Sequence, residues 1–449
     1  MLKPLRNAIS FIHDVEFDDL PSAVLAQARR CLIDLVGVAA AGARTDSARI
    51  VRDFAALHLA SPAGGARMLF DGRRASRAGA AYAGAAVIDS FDAHDGHMLT
   101  KGHAGAAILP ALLAMVDCGC GIDRREFTAA LVMGYEIAIR AGMALHATVA
   151  DYHTSGAWNA LGAASIAARL LPLSRDQTRE ALGIAEYHGP RSQMMRVIDH
   201  PTMLKDGSGY GAFAGVAAAD LAALGFTGAP AITVEASECA HLWDDLGRRW
   251  RVLEQYFKPY PVCRWAQPPI EALRMLRADR PFAAGEIASV RVETFAEAAR
   301  LDTRRPSGTD AAQYSLPFVL GAYLARGGVT ADEITGSALC DPSILSLADR
   351  VELVTDPELA QRYPAERLAR VIVRLSDASE LRSPLAHARG TPEDPLPDSE
   401  FDAKFEASIT WLGAARAAKV RSAAYGVVEG TADTADLLDA VLEPALPPR

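Results

Sequence analysis

Apolar residues recur at helical spacing through the first half of the chain. In DDLPSAVLAQARRCLIDLVGVAAAG an Asp and an early Pro open a helix, Val24, Leu25, Ala28, Leu32 and Leu35 share one face, and Gly42 can close it. The same pattern predicts helices over roughly 104–118, 123–146, 155–171, 176–187 and 209–225. Their high Ala and Gly content lets helices approach closely, which predicts a compact all-helical domain.

Period-two alternation comes later, in IASVRVETF (287–295), VELVT (351–355) and LARVIVRLSD (368–377), between helical segments such as DAAQYSLPFVLGAYLARGG. This predicts a smaller α/β or α+β domain. A stretch rich in Pro and charge, RSPLAHARGTPEDPLPD (382–398), then gives way to helical sequence again. The expected fold is mainly α: a helical domain over 1–256, an inserted α/β domain over 257–399, and C-terminal helices over 400–449 returning to the first domain. No internal repeat or extended low-complexity segment interrupts this division.

Composition narrows the function. A chain of 449 residues, 50% of them hydrophobic, is too long for one simple core and too apolar for disorder. Charges break every apolar stretch within about 20 residues, and the N-terminal sequence turns acidic before a signal-like run develops, so no membrane span or export signal is expected. Six scattered cysteines, with only Cys118 and Cys120 close together, fit reduced thiols in a cytoplasm. A net charge of −9 argues against a general nucleic-acid binder. A small molecule is the expected partner. Only six of the 46 basic residues are Lys (3, 101, 205, 258, 404 and 419), so a retained Lys points to chemistry that Arg cannot do.

Four constellations carry candidate chemistry. FDAHDGHMLTKGHAG (91–105) packs Asp92, His94, Asp95, His97, Lys101 and His103 ahead of a helix start. The atom types suit a metal, but H-E-x-x-H is absent, and an Asp and a His at a helix entrance equally suit proton transfer on an anionic substrate. VADYHTSGAWNALG places Tyr152 and His153 before the next helix. TMLKDGSGYGAFAG presents Lys205 at a glycine-rich helix start; its glycines lack the preceding buried strand that a dinucleotide site needs. YFKPYPVCRWAQPP fixes Lys258 between prolines, with Arg264 just before a helix. Neither a G-x-S-x-G elbow nor a phosphate-binding loop occurs. These residues point to a cofactor-free acid/base site, without metal, for an anionic substrate.

The ordered set Phe91-Asp92, Lys101-Gly102-His103 leading to Ile108-Leu109-Pro110, His153, Lys205-Asp206-Gly207 and Phe257-Lys258-Pro259-Tyr260-Pro261 resembles the MmgE/PrpD family. That family includes 2-methylcitrate dehydratase, cis-aconitate decarboxylase and iminodisuccinate epimerase. The resemblance implies a helical domain with a smaller α/β lid domain, a homodimer, and metal-free chemistry on small polycarboxylates. Carried over residue by residue, Asp92 and His103 match the acidic and His positions of the first active-site loop, and His153 matches the His before the next helix. Lys205 lies within one position of the family's active-site Lys, and Lys258 matches the lid-hinge Lys. His97, Lys101, Tyr152 and Arg264 are the candidate substrate-binding residues.

Departures fall at substrate contacts. Asp92-Ala93-His94 replaces a second Asp followed by Thr, Ala rather than Pro follows His103, K-D-G-S-G replaces K-P-L-H-x-G, and Phe318 stands where the decarboxylase carries Tyr. The expected activity is a dehydratase-type lyase that removes a proton alpha to a carboxylate. Epimerase, isomerase or decarboxylase outcomes of the same step are the near alternatives, and a non-catalytic carboxylate-binding protein is the alternative from another class.

Overall fold

The structure, a computed structural model, describes residues 3–62 and 64–445. The chain divides into two compact units: residues up to Met194, Lys205–Tyr256 and from Asp402 onward form the first, and Met195–Leu204 with Phe257–Phe401 form the second.

Unit 1 is helical. Its centre is built from Ser22–Gly42, Arg77–Asp89, Gly105–Asp117, Arg124–Thr148, Gly156–Leu170 and Ser208–Ala223. The Ser208–Ala223 helix packs on Gly156–Leu170 at glycine and alanine positions, where a missing side chain lets two backbones meet. Arg124–Thr148 is long and apolar enough to cross a membrane, and its apolar window is wholly buried inside the protein, as expected of a central core helix. It carries an Arg–Glu pair within that core. Arg140 Nε lies 3.3 Å from Glu136 Oε2, and Arg140 also donates to the main-chain oxygens of Leu242 and Arg249, while Glu136 accepts the Val252 N–H at 2.8 Å. The pair thereby clamps the 242–252 segment onto the helix.

Two short ladders in unit 1 were not predicted: Ala66–Arg67 with Arg74–Ala75, and Gly96–His97 with Gln255–Tyr256, both antiparallel. Two residues are too few to show alternation. The second ladder matters here, because it fixes the loop that follows the Arg77–Asp89 helix.

Unit 2 holds the sheet. Ile287–Thr294 lies between Val351–Thr355, parallel, and Leu368–Leu375, antiparallel; Glu380–Arg382 and Ala386–His387 both pair with the far side of Leu368–Leu375. The parallel pair needs a crossover, which the Leu316–Arg326 and Pro342–Ala348 helices provide. Gln267–Asp279 packs on Leu368–Leu375, whose Leu368, Val371, Val373 and Leu375 are buried. Met195–Leu204 also packs here, with Asp199 paired to Arg300.

Candidate active site

The site is built where three helix ends of unit 1 meet. The Arg77–Asp89 helix stops at Asp89, and a buried loop leads to the helix that begins at Gly105. The Ser208–Ala223 helix starts without a local side-chain cap, since Gly207 (φ +68°) occupies that position. Asp89 supplies the cap from another helix: its Oδ2 accepts the Ser208 N–H at 3.0 Å. Lys205 and Lys101 both adopt left-handed backbone, with φ of +49° and +53°, a conformation that tight turns impose on a non-glycine residue at some cost.

Around this junction stand Asp89, Asp92, His94, His103, Lys205 and Asp206, all buried. His94 Nε2 is 3.3 Å from Asp89 Oδ1, and its Nδ1 is 3.7 Å from Asp92 Oδ1. The His94 and His103 rings stack, with centroids 4.0 Å apart and planes 9° from parallel. His103 Nδ1 meets the main-chain oxygen of Asp95 at 2.5 Å, and its Nε2 faces Asp206 Oδ2 at 3.4 Å. A carbonyl oxygen only accepts, so Nδ1 carries the hydrogen and Nε2 is the nitrogen that exchanges a proton. The backbone of His103 is held as well: its N–H donates to Ser155 Oγ at 2.9 Å, and its carbonyl accepts Asn159 Nδ2 at 3.2 Å. Gly96 has to be glycine, because a Cβ there would lie 2.4 Å from the Tyr256 hydroxyl and 2.9 Å from His103 Nδ1.

Burial sets the protonation of the acids behind these rings. Asp89 is pushed up to about 6 by burial, against the Ser208 N–H and Lys205, which favour its charged form. Asp95 is pushed up to about 7 by burial and by the charge of Asp34, although Tyr135 Oη donates to its Oδ2 at 2.6 Å.

A second group lies along the same loop. Tyr152 Oη donates to the Lys101 main-chain oxygen, and Lys101 Nζ sits 5.6 Å from the Tyr152 ring centre. His146 accepts the His153 N–H at 3.2 Å, and burial followed by Lys101 lowers it to about 4, so this imidazole is neutral near pH 7. His153 Nδ1 meets the Asp151 main-chain oxygen at 3.0 Å. His97 anchors the loop, with Nε2 3.2 Å from Glu254, itself held by Arg249 and Arg251. Unit 2 contains Lys258 and Arg264: Lys258 is buried, and Arg264 donates to Gln267 and to the main-chain oxygens of Ala388 and Arg389.

The structure thus brings Asp92, His103 and Lys205 together, and separately Lys101, Tyr152 and His153. Residues 7–241 match the MmgE/PrpD N-terminal domain, and residues 260–429 match the MmgE/PrpD C-terminal domain. The chain belongs to the MmgE/PrpD family. It is 23% identical to a cis-aconitate decarboxylase-like protein of Aspergillus oryzae over 96% of this chain and 95% of that protein. It is 23% identical to a cis-aconitate decarboxylase of Aspergillus terreus (86% and 85% covered), and 24% identical to one of Homo sapiens (91% and 89% covered).

Among the described residues of this MmgE/PrpD chain, two overlapping sets have metal-ligand chemistry: Asp92, His94 and His103, and Asp89, His94 and Asp206. Stacked, nearly parallel imidazoles direct their lone pairs side by side, so His94 and His103 as placed cannot both bind one ion at about 2.0–2.1 Å. The second set has one imidazole and two carboxylates and is free of that conflict. Sequence reasoning left Asp89, His94, His146 and Asp206 out of the candidate acid/base set. His94 and Asp206 lie inside the motifs; His146 closes the helix predicted over 123–146, and Asp89 ends the Arg77–Asp89 helix, which the sequence pattern did not single out, so neither carries a local signal beyond its place at a helix end.

Proposed function

We propose that this MmgE/PrpD protein is a lyase acting on a small di- or tricarboxylate, without a metal or organic cofactor. The observation that carries the reading is His103: its Nδ1 is tied to a main-chain oxygen and its Nε2 faces Asp206, in a buried cluster with Lys205. An imidazole so held can take a proton alpha to a carboxylate through Nε2. Lys205 offers a compact positive charge to the oxygens on which enediolate charge develops. In a dehydration the C–H bond breaks to His103, the C=C bond forms, and the β-hydroxyl leaves as water after gaining a proton from an acid of the cluster. The names of the three relatives favour loss of CO2 as the second outcome. Lys258 is included on its motif alone. The proposal extends to a cytoplasmic homodimer, and the six free cysteines support that compartment.

Proton NMR of the purified protein in D2O with citrate, 2-methylcitrate, cis-aconitate, malate and iminodisuccinate tests the reading. Turnover or deuterium incorporation alpha to a carboxylate is expected, and the product separates loss of water, loss of CO2 and epimerisation. Saturable binding without exchange on any of the five would replace the lyase with a carboxylate-binding protein.

A further inference from the structure

Lys404 belongs to none of the motifs above. It stands on the Asp398–Ile409 helix, 311 residues after the loop it touches. Its Nζ donates to Asp34 Oδ1 at 2.5 Å and to the main-chain oxygen of Ala93 at 2.6 Å. Ala93 sits between Asp92 and His94, and the Asp34 side chain is 0% exposed. Two residues on, Asp95 is gripped from the other side: Tyr135 Oη and Gln255 Nε2 both donate to its Oδ2, at 2.6 and 3.2 Å. The main-chain oxygen of this same Asp95 is the one that holds His103 Nδ1.

We infer that Lys404 is a positioning residue: by tying the Ala93 carbonyl to Asp34 it fixes the 93–95 backbone, and with it the Asp95 carbonyl that sets the His103 tautomer. A Lys suits the task because its three N–H donors radiate from one atom and can serve a carboxylate and a carbonyl at once. The inference rests on the reading of His103 as the proton-transfer group. It also gives a reason for one Lys retained outside the motifs in a chain whose basic residues are mostly Arg.

The test uses full-length protein labelled with 15N-histidine, without substrate, with the His103 signals assigned by their loss in His103→Gln. Wild type is compared with Lys404→Met and with Lys404→Met/Asp34→Asn, which leaves no buried charge unpaired and carries the test if the single variant does not fold. Wild type is expected to show one His103 tautomer, protonated on Nδ1. The variants are expected to show both tautomers, and a kcat at least about tenfold lower with KM changed by less than about threefold. A single Nδ1-protonated tautomer in the variants overturns the inference, even if kcat falls, because the loss would then be that of a stabilising ion pair. A wild-type ring not protonated on Nδ1 overturns it as well. The NMR readout needs no turnover, so absence of activity on every polycarboxylate would count against the proposed reaction and leave this inference to be decided on its own.

Discussion

His103 does little by its residue type alone; its chemistry comes from what surrounds it. The Asp95 carbonyl fixes the hydrogen on Nδ1, Ser155 and Asn159 hold the backbone, and His94 covers one ring face. His103→Gln retains polarity but removes the imidazole nitrogen that exchanges the proton, and is expected to lower kcat by about 10²–10⁴ in steady-state turnover. The buried acids give a pH prediction. A carboxyl whose folded-state value is raised binds more protons in the native state, so its effect lowers stability as pH rises toward that value. Asp95 and Glu136, each pushed up to about 7 by burial, act this way. His97 and His146 are lowered by burial and act oppositely, but only up to about their ordinary value of 6.5. Between pH 6.5 and 8 the acids prevail, and denaturant unfolding is expected to show a loss on the order of 1 kcal/mol. Asp95→Asn, which keeps an oxygen for Tyr135, is expected to flatten part of that slope; an unchanged slope would remove Asp95 as its source.

Among elements, the Ser208–Ala223 and Gly156–Leu170 helices show most directly how packing builds the site. A Cβ on Gly215 would fall 2.3 Å from the Ala160 carbonyl oxygen, and one on Gly211 2.2 Å from Asn159 Oδ1. Gly215→Ala therefore meets backbone that cannot step aside and is expected to cost about 1–3 kcal/mol in thermal or denaturant unfolding. Both helices were legible from apolar periodicity, with ends within about two residues of those found. Their pairing was not legible, because helices this rich in Ala and Gly present similar surfaces on every side. Nor was the role of Asp89 as a cap for Ser208, which requires residues 119 positions apart to meet.

For the whole molecule, the order of five motifs along the chain was enough to suggest the family, and matches over 7–241 and 260–429 establish it. Sedimentation is expected to give a particle of about twice the chain mass of 47.7 kDa, in line with the proposed homodimer. Exposed Phe54 and Tyr210, both in ring contact with Tyr82, and exposed Leu57 on the same helix as Phe54 form an apolar face suited to a second copy. Turnover is expected to survive prolonged EDTA treatment with elemental analysis showing less than about 0.1 metal per chain, since the proposal routes every step through side chains. Activity lost on chelation and restored by one divalent ion would instead assign the Asp89, His94 and Asp206 set as a metal site.

Local sequence was enough for the predominance of helix, for the three longest strands of the unit 2 sheet, and for the loops that carry Asp92, His103, His153, Lys205 and Lys258. These are local properties: periodicity, glycine and proline placement, and short motifs act over a few neighbouring residues. Only the tertiary structure decided that His94 lies on His103, that Asp206 faces its Nε2, and that Asp95 contributes a carbonyl oxygen to His103. It alone brought Lys404 against the loop from the far end of the chain. Each of these depends on which helices pack together, a choice made by burial and steric fit summed over many residues, and so not written in any one segment.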